Sequence, residues 1–255
     1  MKAKTYNTLF FVLGLLTLLY MVYKIGLQVI WDNIVQTGFW FLPVIGIWLI
    51  IYILNALAFR EIIFERKLPH SKLPFLSILK LTISGYAINY ITPFIALGGE
   101  PYRVMSLQKK LDTNKATSSV LLYNFIHIFS HIVFWMVSII CIIIVLKPGT
   151  KALIGCILTF VIFFLLLYWV FLKYKKGLLM ISFKLLARIP FIKNRMMKFI
   201  EKRRGNLEEI DLHIIDLFSK RRGTFYASTF FEFVARVIGC LEIYFIALAL
   251  IAPIG

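Results

Sequence analysis

Charge, and acidic charge most of all, is scarce in this sequence of 255 residues. Only 16% of the residues are charged, whereas soluble domains carry about 25%. Hydrophobic residues make up 60% and the mean hydropathy is +0.85, so a soluble fold would have too little polar side chain to cover its surface. These values exclude a soluble enzyme and a disordered chain, and they indicate an integral membrane protein.

Cysteines are few, and motifs for metal binding and catalysis are missing. All three cysteines lie in apolar runs and none has the spacing of a metal ligand, which excludes a disulfide scaffold and predicts no metal site. The apolar runs are unbroken rather than alternating with polar residues, which excludes an outer-membrane barrel. No nucleophile–base pair stands out either, so the sequence favours a protein without catalytic residues and without a cofactor.

Long stretches without charge predict the membrane-spanning helices, because about 20 apolar residues are needed to cross the hydrocarbon core. We predict an all-α polytopic helical bundle that forms a single transmembrane domain over residues 1–255. The predicted spans are 5–23, 33–59, 116–146, 152–172 and 224–252. The first apolar run is too long for a signal peptide and no small-residue cleavage site follows it, so we expect it to be retained.

The segment 75–97 is apolar but contains glycine, proline and polar residues. The basic residues test whether it crosses the membrane, because cytoplasmic loops are enriched in Lys and Arg. If the segment dips in and returns, 24 basic residues face the cytoplasm and three face outside, whereas a full crossing gives 19 and eight. We therefore predict a broken or re-entrant element with a cavity beside it, because non-helical backbone at membrane depth needs polar partners. The N-terminus is then cytoplasmic, in a multi-pass protein of the inner (plasma) membrane.

A strongly basic segment, 173–223, follows the fifth apolar stretch. It has 14 basic and five acidic residues, and its apolar residues recur at helical spacing. This pattern predicts amphipathic cytoplasmic helices that lie on the inner leaflet. The net charge of +17 thus indicates anionic lipid headgroups as partners, not nucleic acid. A simple positive-inside anchor without lipid specificity is the alternative.

The motif with the most chemical content runs from Gly98 to Arg103. Gly98 and Gly99 allow a tight turn or a close approach to a ligand. Pro101 suits the first position of a helix, and Glu100 is favoured beside it because a helix N-terminus attracts negative charge. Arg103 can pair with Glu100 or bind a phosphate with its planar guanidinium. The motif therefore predicts either a ligand site or a capped helix start. The polar and helix-breaking residues upstream of it include Asn89, Thr92 and Pro93.

This stretch resembles the signature of the lysylphosphatidylglycerol synthase transmembrane region, or flippase-like membrane family. That signature is a proline-containing segment, then Gly-Gly-Glu-Pro, then an arginine and a helix that ends in basic residues. The corresponding residues here are Pro93, 98–101, Arg103, Lys109 and Lys110. The resemblance covers most of the chain, and it implies a polytopic membrane protein that handles polar lipids.

The sequence departs from this family's pattern in two places. Where the family usually has an acidic residue and an arginine, residues 123–125 read Tyr-Asn-Phe, and two histidines follow. Family members also usually continue to a second segment rich in proline and glycine, but this sequence stops at Gly255 inside an apolar run. We therefore expect a C-terminally truncated chain, with the missing part completing the bundle.

Two further polar sets lie inside predicted spans, where ionisable residues are candidates for function. Asn124, His127 and His131 share one helical face, which predicts cavity lining or hydrogen bonding between helices; a metal would need a third ligand. Glu232 and Arg236 are spaced as an i, i+4 ion pair. That pair either contacts a lipid headgroup or holds helices together.

The sequence thus predicts a lipid-handling membrane protein: a flippase-like translocator or binder of a polar phospholipid or a polyprenyl-linked lipid. The alternatives are a non-catalytic partner of a cell-envelope glycosyltransferase and a membrane-embedded lipid transferase. No soluble aminoacyl-transfer domain is present, which argues against an enzyme. A homo-oligomer and a cell-envelope enzyme partner both remain open. The predicted lipid-binding residues are Asn89, Pro93, Gly98, Gly99, Glu100, Pro101, Arg103, Asn124, His127, His131, Glu232 and Arg236.

Overall fold

The computed structural model describes residues 2–64, 73–91, 99–173, 176–189 and 193–251. Every regular element within these residues is helical, and none is a strand. A short 3-10 turn, Gly38–Trp40, precedes the third α-helix. The α-helices are α1 (Lys2–Ile25), α2 (Leu27–Thr37), α3 (Phe41–Ile63), α4 (Phe75–Ile91), α5 (Gly99–Leu107), α6 (Thr113–Leu146), α7 (Thr150–Lys173), α8 (Leu178–Leu186), α9 (Lys193–Ser219) and α10 (Arg222–Ile251).

Several of these helices are long and apolar enough, by length and composition, to cross a bilayer. In the described part of the chain the segments that qualify alone are Gly38–Ile63, Thr113–Leu146 and Thr150–Lys173. They overlap the predicted spans 33–59, 116–146 and 152–172. A bent pair of segments, Leu15–Ile25 and Leu27–Val35, is a fourth candidate. The prediction of an all-α integral membrane protein is therefore confirmed.

The bent pair has a definite cause at Gly26. This glycine has φ +88°, a conformation that residues with a side chain rarely adopt. The chain turns there by 77° between the two helical segments. The sequence predicted a single first span, 5–23. It did not predict the separate helix α2 that follows the turn.

The predicted broken element, 75–97, begins as the helix α4. The next described helix, α5, starts at Gly99. Pro93 and Gly98 lie outside the described residues, as does the rest of the connection, 92–98. Re-entry of the chain into the membrane here stays a prediction, and α4 and α5 are the helices that flank the connection.

The chain folds into two compact units, and each is considered by itself. The first comprises Met1–Arg60, Pro69–Leu111 and Val234–Gly255. It therefore contains α1, α2, α4, α5, most of α3 and the second half of α10. The other unit comprises Glu61–Leu68 and Asp112–Phe233, and it contains α6 to α9 and the first half of α10.

Within the second of these units, Asp211 joins α9 to the start of α8. Its carboxylate accepts a hydrogen bond from the backbone N–H of Met180 at 3.0 Å. Backbone N–H groups at a helix N-terminus lack helical partners and favour a negative charge. Gly177 precedes α8 with φ +85°, and a Cβ there would lie 2.7 Å from the Asp211 Oδ2 atom. Glycine at this position therefore lets the carboxylate reach the helix end.

Arg221 holds the C-terminal end of α3 in the same unit. Its Nη2 atom donates to the backbone carbonyls of Glu61 at 3.2 Å and Ile62 at 3.1 Å. Carbonyls in the last turn of a helix have no partner within the helix, so the guanidinium satisfies groups that would otherwise need water.

We expect Arg221→Ala to lower the free energy of unfolding by about 1–3 kcal/mol, because two half-buried carbonyls lose a charged donor. The matched control is Arg222→Ala, since Arg222 is the exposed neighbour and has the same charge. Thermal unfolding of both variants in detergent measures the difference. Equal melting temperatures for the two variants would show that Arg221 does not hold this helix end.

Candidate functional site

Helices α4 and α5 approach each other closely through two glycines. A Cβ on Gly99 would lie 2.2 Å from the backbone oxygen of Gly85, so the two helices touch through backbone atoms. The Gly99 N–H donates to the Oδ1 atom of Asn89 at 2.7 Å. The Asn89 amide in turn donates to Glu100 Oε1 at 3.3 Å. Asn89 therefore binds the start of α5 from the facing helix.

The side chain of Arg103 is buried against α4. It is only 1% exposed, and its guanidinium lies 4.8 Å from the centre of the Tyr86 ring. A Cβ on Gly85 would lie 2.3 Å from the Arg103 Nε atom, so the missing side chain of Gly85 makes the space that the guanidinium fills. A cation held over an aromatic ring is stabilised by the ring's electrons, while its burial costs hydration.

A chain of aromatic contacts continues from this arginine to α3 and α10, all within the first unit. The Tyr86 and Tyr52 rings lie 5.7 Å apart, and so do the Tyr52 and Trp48 rings. The Trp48 indole N–H donates to Glu242 Oε1 at 3.0 Å. Asn55 donates to the Tyr86 hydroxyl at 3.2 Å. The first unit therefore carries a continuous stripe of polar and aromatic side chains, most of them half-buried.

Two acceptor oxygens beside this stripe are buried without a hydrogen-bond partner among the described residues. They are Glu100 Oε2 and Asn55 Oδ1. A buried acceptor without a donor is costly, so each oxygen is a place where an N–H or O–H group of a ligand, or a water, would be bound.

A second polar cluster joins α6 to α10 in the second unit. The His127 Nδ1 atom lies 2.7 Å from Glu232 Oε2. Glu232 is 0% exposed, whereas about a third of the His127 side chain is exposed. The ring of His131 is 5.1 Å from that of His127, and Ser130 donates to the backbone oxygen of Thr229 at 3.4 Å. The buried carboxylate of Glu232 is therefore contacted by a histidine whose side chain is partly exposed.

The predicted residues therefore fall into separate groups. Asn89, Gly99, Glu100 and Arg103 come together in the first unit, with Pro101 in the first turn of α5. In the second unit the structure brings together His127, His131 and Glu232. Asn124 and Arg236 are half-buried, on α6 and α10. Within the described residues no three histidine, cysteine or acidic side chains are placed to hold a metal ion.

Four contributors to the stripe in the first unit were not predicted from the sequence. They are Trp48, Tyr52, Asn55 and Tyr86. A signal was present on α3, because positions 48, 52 and 55 share one helical face at i, i+4 and i+7 spacing. The pair of Glu232 and Arg236 stays a prediction, and the sequence did not predict that Glu232 also contacts His127 on another helix.

A family model described as the lysylphosphatidylglycerol synthase TM region matches residues 8–255, which is nearly the whole chain. No curated protein and no solved structure matches.

Proposed function

We propose that this chain, which belongs to the family of the lysylphosphatidylglycerol synthase TM region, binds the headgroup of a polar membrane lipid and moves that lipid across the bilayer. The observation that carries the proposal is the buried guanidinium of Arg103, which follows Glu100 by three residues on α5. A charge is costly inside a membrane protein and is retained there mainly for function.

The chemistry of the two side chains suggests the kind of headgroup. A guanidinium presents parallel N–H donors that match two phosphate oxygens. Glu100 Oε2 accepts a hydrogen bond from an amine or a hydroxyl, and it has no other partner in the described residues. Together they suit a lipid with a phosphate and, a few ångströms away, an amine or hydroxyl group. A phospholipid and a polyprenyl phosphate carrying a sugar both meet this description.

The lipid enters this site only if α4 and α5 move apart. Arg103 is almost completely covered in the present conformation, so no headgroup reaches its donors. Transport by alternating access requires closed and open states of the same site. We take the present structure as a closed state, in which the backbone contact between Gly85 and Gly99 seals the guanidinium.

The distribution of charge supports an orientation for this function. We propose a plasma-membrane protein with the N-terminus and residues 173–223 in the cytoplasm, because this arrangement puts 24 basic residues inside and three outside. In this orientation the start of α5 and residues 173–223 both face the cytoplasmic leaflet, which is rich in anionic lipid. Membrane lipids are thus its proposed partners.

The test is a lipid-flip assay on the purified protein in liposomes that contain fluorescent phospholipids. We expect Arg103→Lys to slow flipping about tenfold to hundredfold. Lysine keeps the charge but lacks the parallel N–H donors of the guanidinium, and a charged hydrogen bond contributes about 1.5–3 kcal/mol. Glu100→Gln should lower the rate for lipids with an amine headgroup more than for those without one.

The surface pair Arg204 and Glu208 supplies matched controls. These residues are hydrogen-bonded to each other at 2.8 Å and exposed, so Arg204→Lys and Glu208→Gln make the same chemical changes on exposed side chains. Neither should change the flip rate. If Arg103→Lys flipped lipid as fast as Arg204→Lys, the motif would be only a helix start and the proposal would be wrong.

A further inference from the structure

The pair of helices α8 and α9 divides its charge at one place. Residues 184–204 contain eight basic side chains and one acidic one, whereas residues 205–219 contain four acidic side chains and no lysine or arginine. The backbone of α9 is non-helical at Arg203 (φ −117°, ψ 16°), next to this boundary. We name residues 178–189 and 193–204 together the basic arm, and residues 205–219 the acidic arm. Positive-inside topology needs only an excess of basic residues, so it does not explain the division.

The two arms also treat their apolar side chains differently. The acidic arm buries most of them: Leu207, Ile210, Ile214, Leu217 and Phe218. The basic arm leaves five large ones between 43% and 53% exposed: Leu185, Leu186, Ile189, Met197 and Phe199. Exposed basic side chains stand among them, including Lys184, Arg195 and Lys198. One arm is thus packed into the protein, and the other presents a mixed basic and apolar surface.

The basic arm is built into the structure. The rings of Phe183 and Phe199 lie 5.6 Å apart, which joins α8 to the first part of α9. Asp211 of the acidic arm binds the N-terminus of α8 through the Met180 N–H. The exposed apolar side chains are therefore held on a defined surface that connects to the packed arm.

The chain also keeps this surface near the bilayer. The apolar helix α7 ends at Lys173 and α8 begins at Leu178. Four intervening residues reach at most roughly 18 Å when fully extended. The basic arm therefore starts within that distance of the end of a helix that is apolar enough to span the membrane.

We infer that the basic arm lies on the bilayer and binds it by two contributions, insertion of its exposed apolar side chains and attraction of its basic side chains to anionic lipid headgroups. Helices with basic and apolar side chains together bind at the level of the headgroups. A soluble acidic partner would match the charge, but the tether to α7 places the arm at the lipid surface. This inference is independent of lipid transport, because it concerns neither Arg103 nor Glu100.

The test places a polarity-sensitive fluorophore on the full chain, after Cys141, Cys156 and Cys240 are replaced by serine. One variant carries it at Met197→Cys in the basic arm. The control carries it at Leu212→Cys, the 65% exposed leucine of the acidic arm. In vesicles that mix phosphatidylglycerol with phosphatidylcholine, we expect a blue-shifted, quencher-protected signal at 197 and an aqueous signal at 212. Both leaflets have the same composition, so the orientation of insertion does not matter.

Charge dependence is tested by removing three basic residues of the arm. The triple variant Lys184→Ser, Arg195→Ser, Lys198→Ser should lower the equilibrium ratio of membrane-buried to water-exposed fluorophore at position 197. We expect a fall of roughly 100-fold, given the usual contribution of each basic residue near anionic lipid. The control removes the three basic residues predicted on the opposite side: Lys24→Ser, Lys147→Ser, Lys151→Ser. It should leave the signal unchanged.

Three results would overturn the inference. An aqueous signal at 197 in anionic vesicles would show that the basic arm does not touch lipid and would favour a protein partner. Equal burial in vesicles of phosphatidylcholine alone would show that charge does not contribute. Equal effects of the two triple variants would show that the arm has no special role. None of these results depends on the flip assay, so this inference and the proposed transport function can fail separately.

Discussion

Replacing Gly99 by alanine is expected to prevent folding of the first unit. The added Cβ would lie 2.2 Å from the backbone oxygen of Gly85 and 2.8 Å from Asn89 Oδ1. The first of these atoms belongs to the backbone of α4 and has no rotamer with which to move away. Helix α5 would have to shift, lose the hydrogen bond to Asn89 and uncover the Arg103 guanidinium. We expect a loss of more than about 4 kcal/mol, in the range that single substitutions reach only when a specific packing mechanism is broken.

The measurement is the yield of monodisperse protein in detergent and its melting temperature. The control is Gly155→Ala on α7, where an added Cβ would meet nothing within 4 Å. That substitution should be neutral or stabilise by up to about 1 kcal/mol, because alanine is a better helix former than glycine. Indistinguishable melting curves for the two variants would mean that α4 and α5 do not approach through these glycines.

Gly85→Ala separates folding from function at the same contact. Its Cβ would lie 2.3 Å from Arg103 Nε, which belongs to a long side chain that can change rotamer. The variant should fold with a modest loss of stability but hold the guanidinium away from its place over Tyr86. Lipid flipping should then fall although the protein remains monodisperse, which Gly99→Ala does not allow one to see.

The long helices could be predicted from the sequence because hydropathy decides where a chain can cross a membrane. The uncharged run 116–146 lies within α6, and 152–172 lies within α7. Helix ends were predicted less well, since a helix does not stop at the first charge. Helix α3 continues beyond the apolar run, through Arg60 to Ile63. Backbone hydrogen bonds do not depend on side-chain hydropathy, and Arg221 binds two of the last carbonyls.

The helix start at Gly99 could also be predicted from the sequence, because it depends on residues that are close together in the chain. Glu100 lies in the first turn of α5, and Asn89 is only ten residues before Gly99. The other partners could not be predicted, since they depend on how distant helices pack. Trp48 and Glu242 are 194 residues apart, and His127 and Glu232 are 105 apart. No periodicity along one helix shows which face of another will meet it.

The contact between His127 and Glu232 leads to the second large expected effect. Glu232 is completely buried, and its carboxylate is 2.7 Å from the His127 ring nitrogen. Glu232→Ala removes the carboxylate and leaves that nitrogen facing a cavity. Removing this side chain takes away a hydrogen bond and opens a cavity, and large-to-small substitutions of buried side chains typically cost about 2–5 kcal/mol. We expect a comparably large fall in the free energy of unfolding, visible as a much lower melting temperature in detergent. The control is Glu208→Ala, which removes an exposed carboxylate and should cost little.

Glu232→Gln distinguishes a structural role from a role in lipid binding. Glutamine has nearly the same shape and can still hydrogen-bond the histidine, but it carries no charge. If the carboxylate only joins α6 to α10, this variant should keep most of the stability and flip lipid at the normal rate. If the charge instead contacts an amine headgroup, the variant should stay folded while flipping of lipids with an amine headgroup falls. A headgroup contact is one of the two roles that the sequence left open for Glu232 and Arg236. A variant as unstable as Glu232→Ala would show that the charge itself is needed to join α6 to α10 and would speak against a role in lipid binding alone.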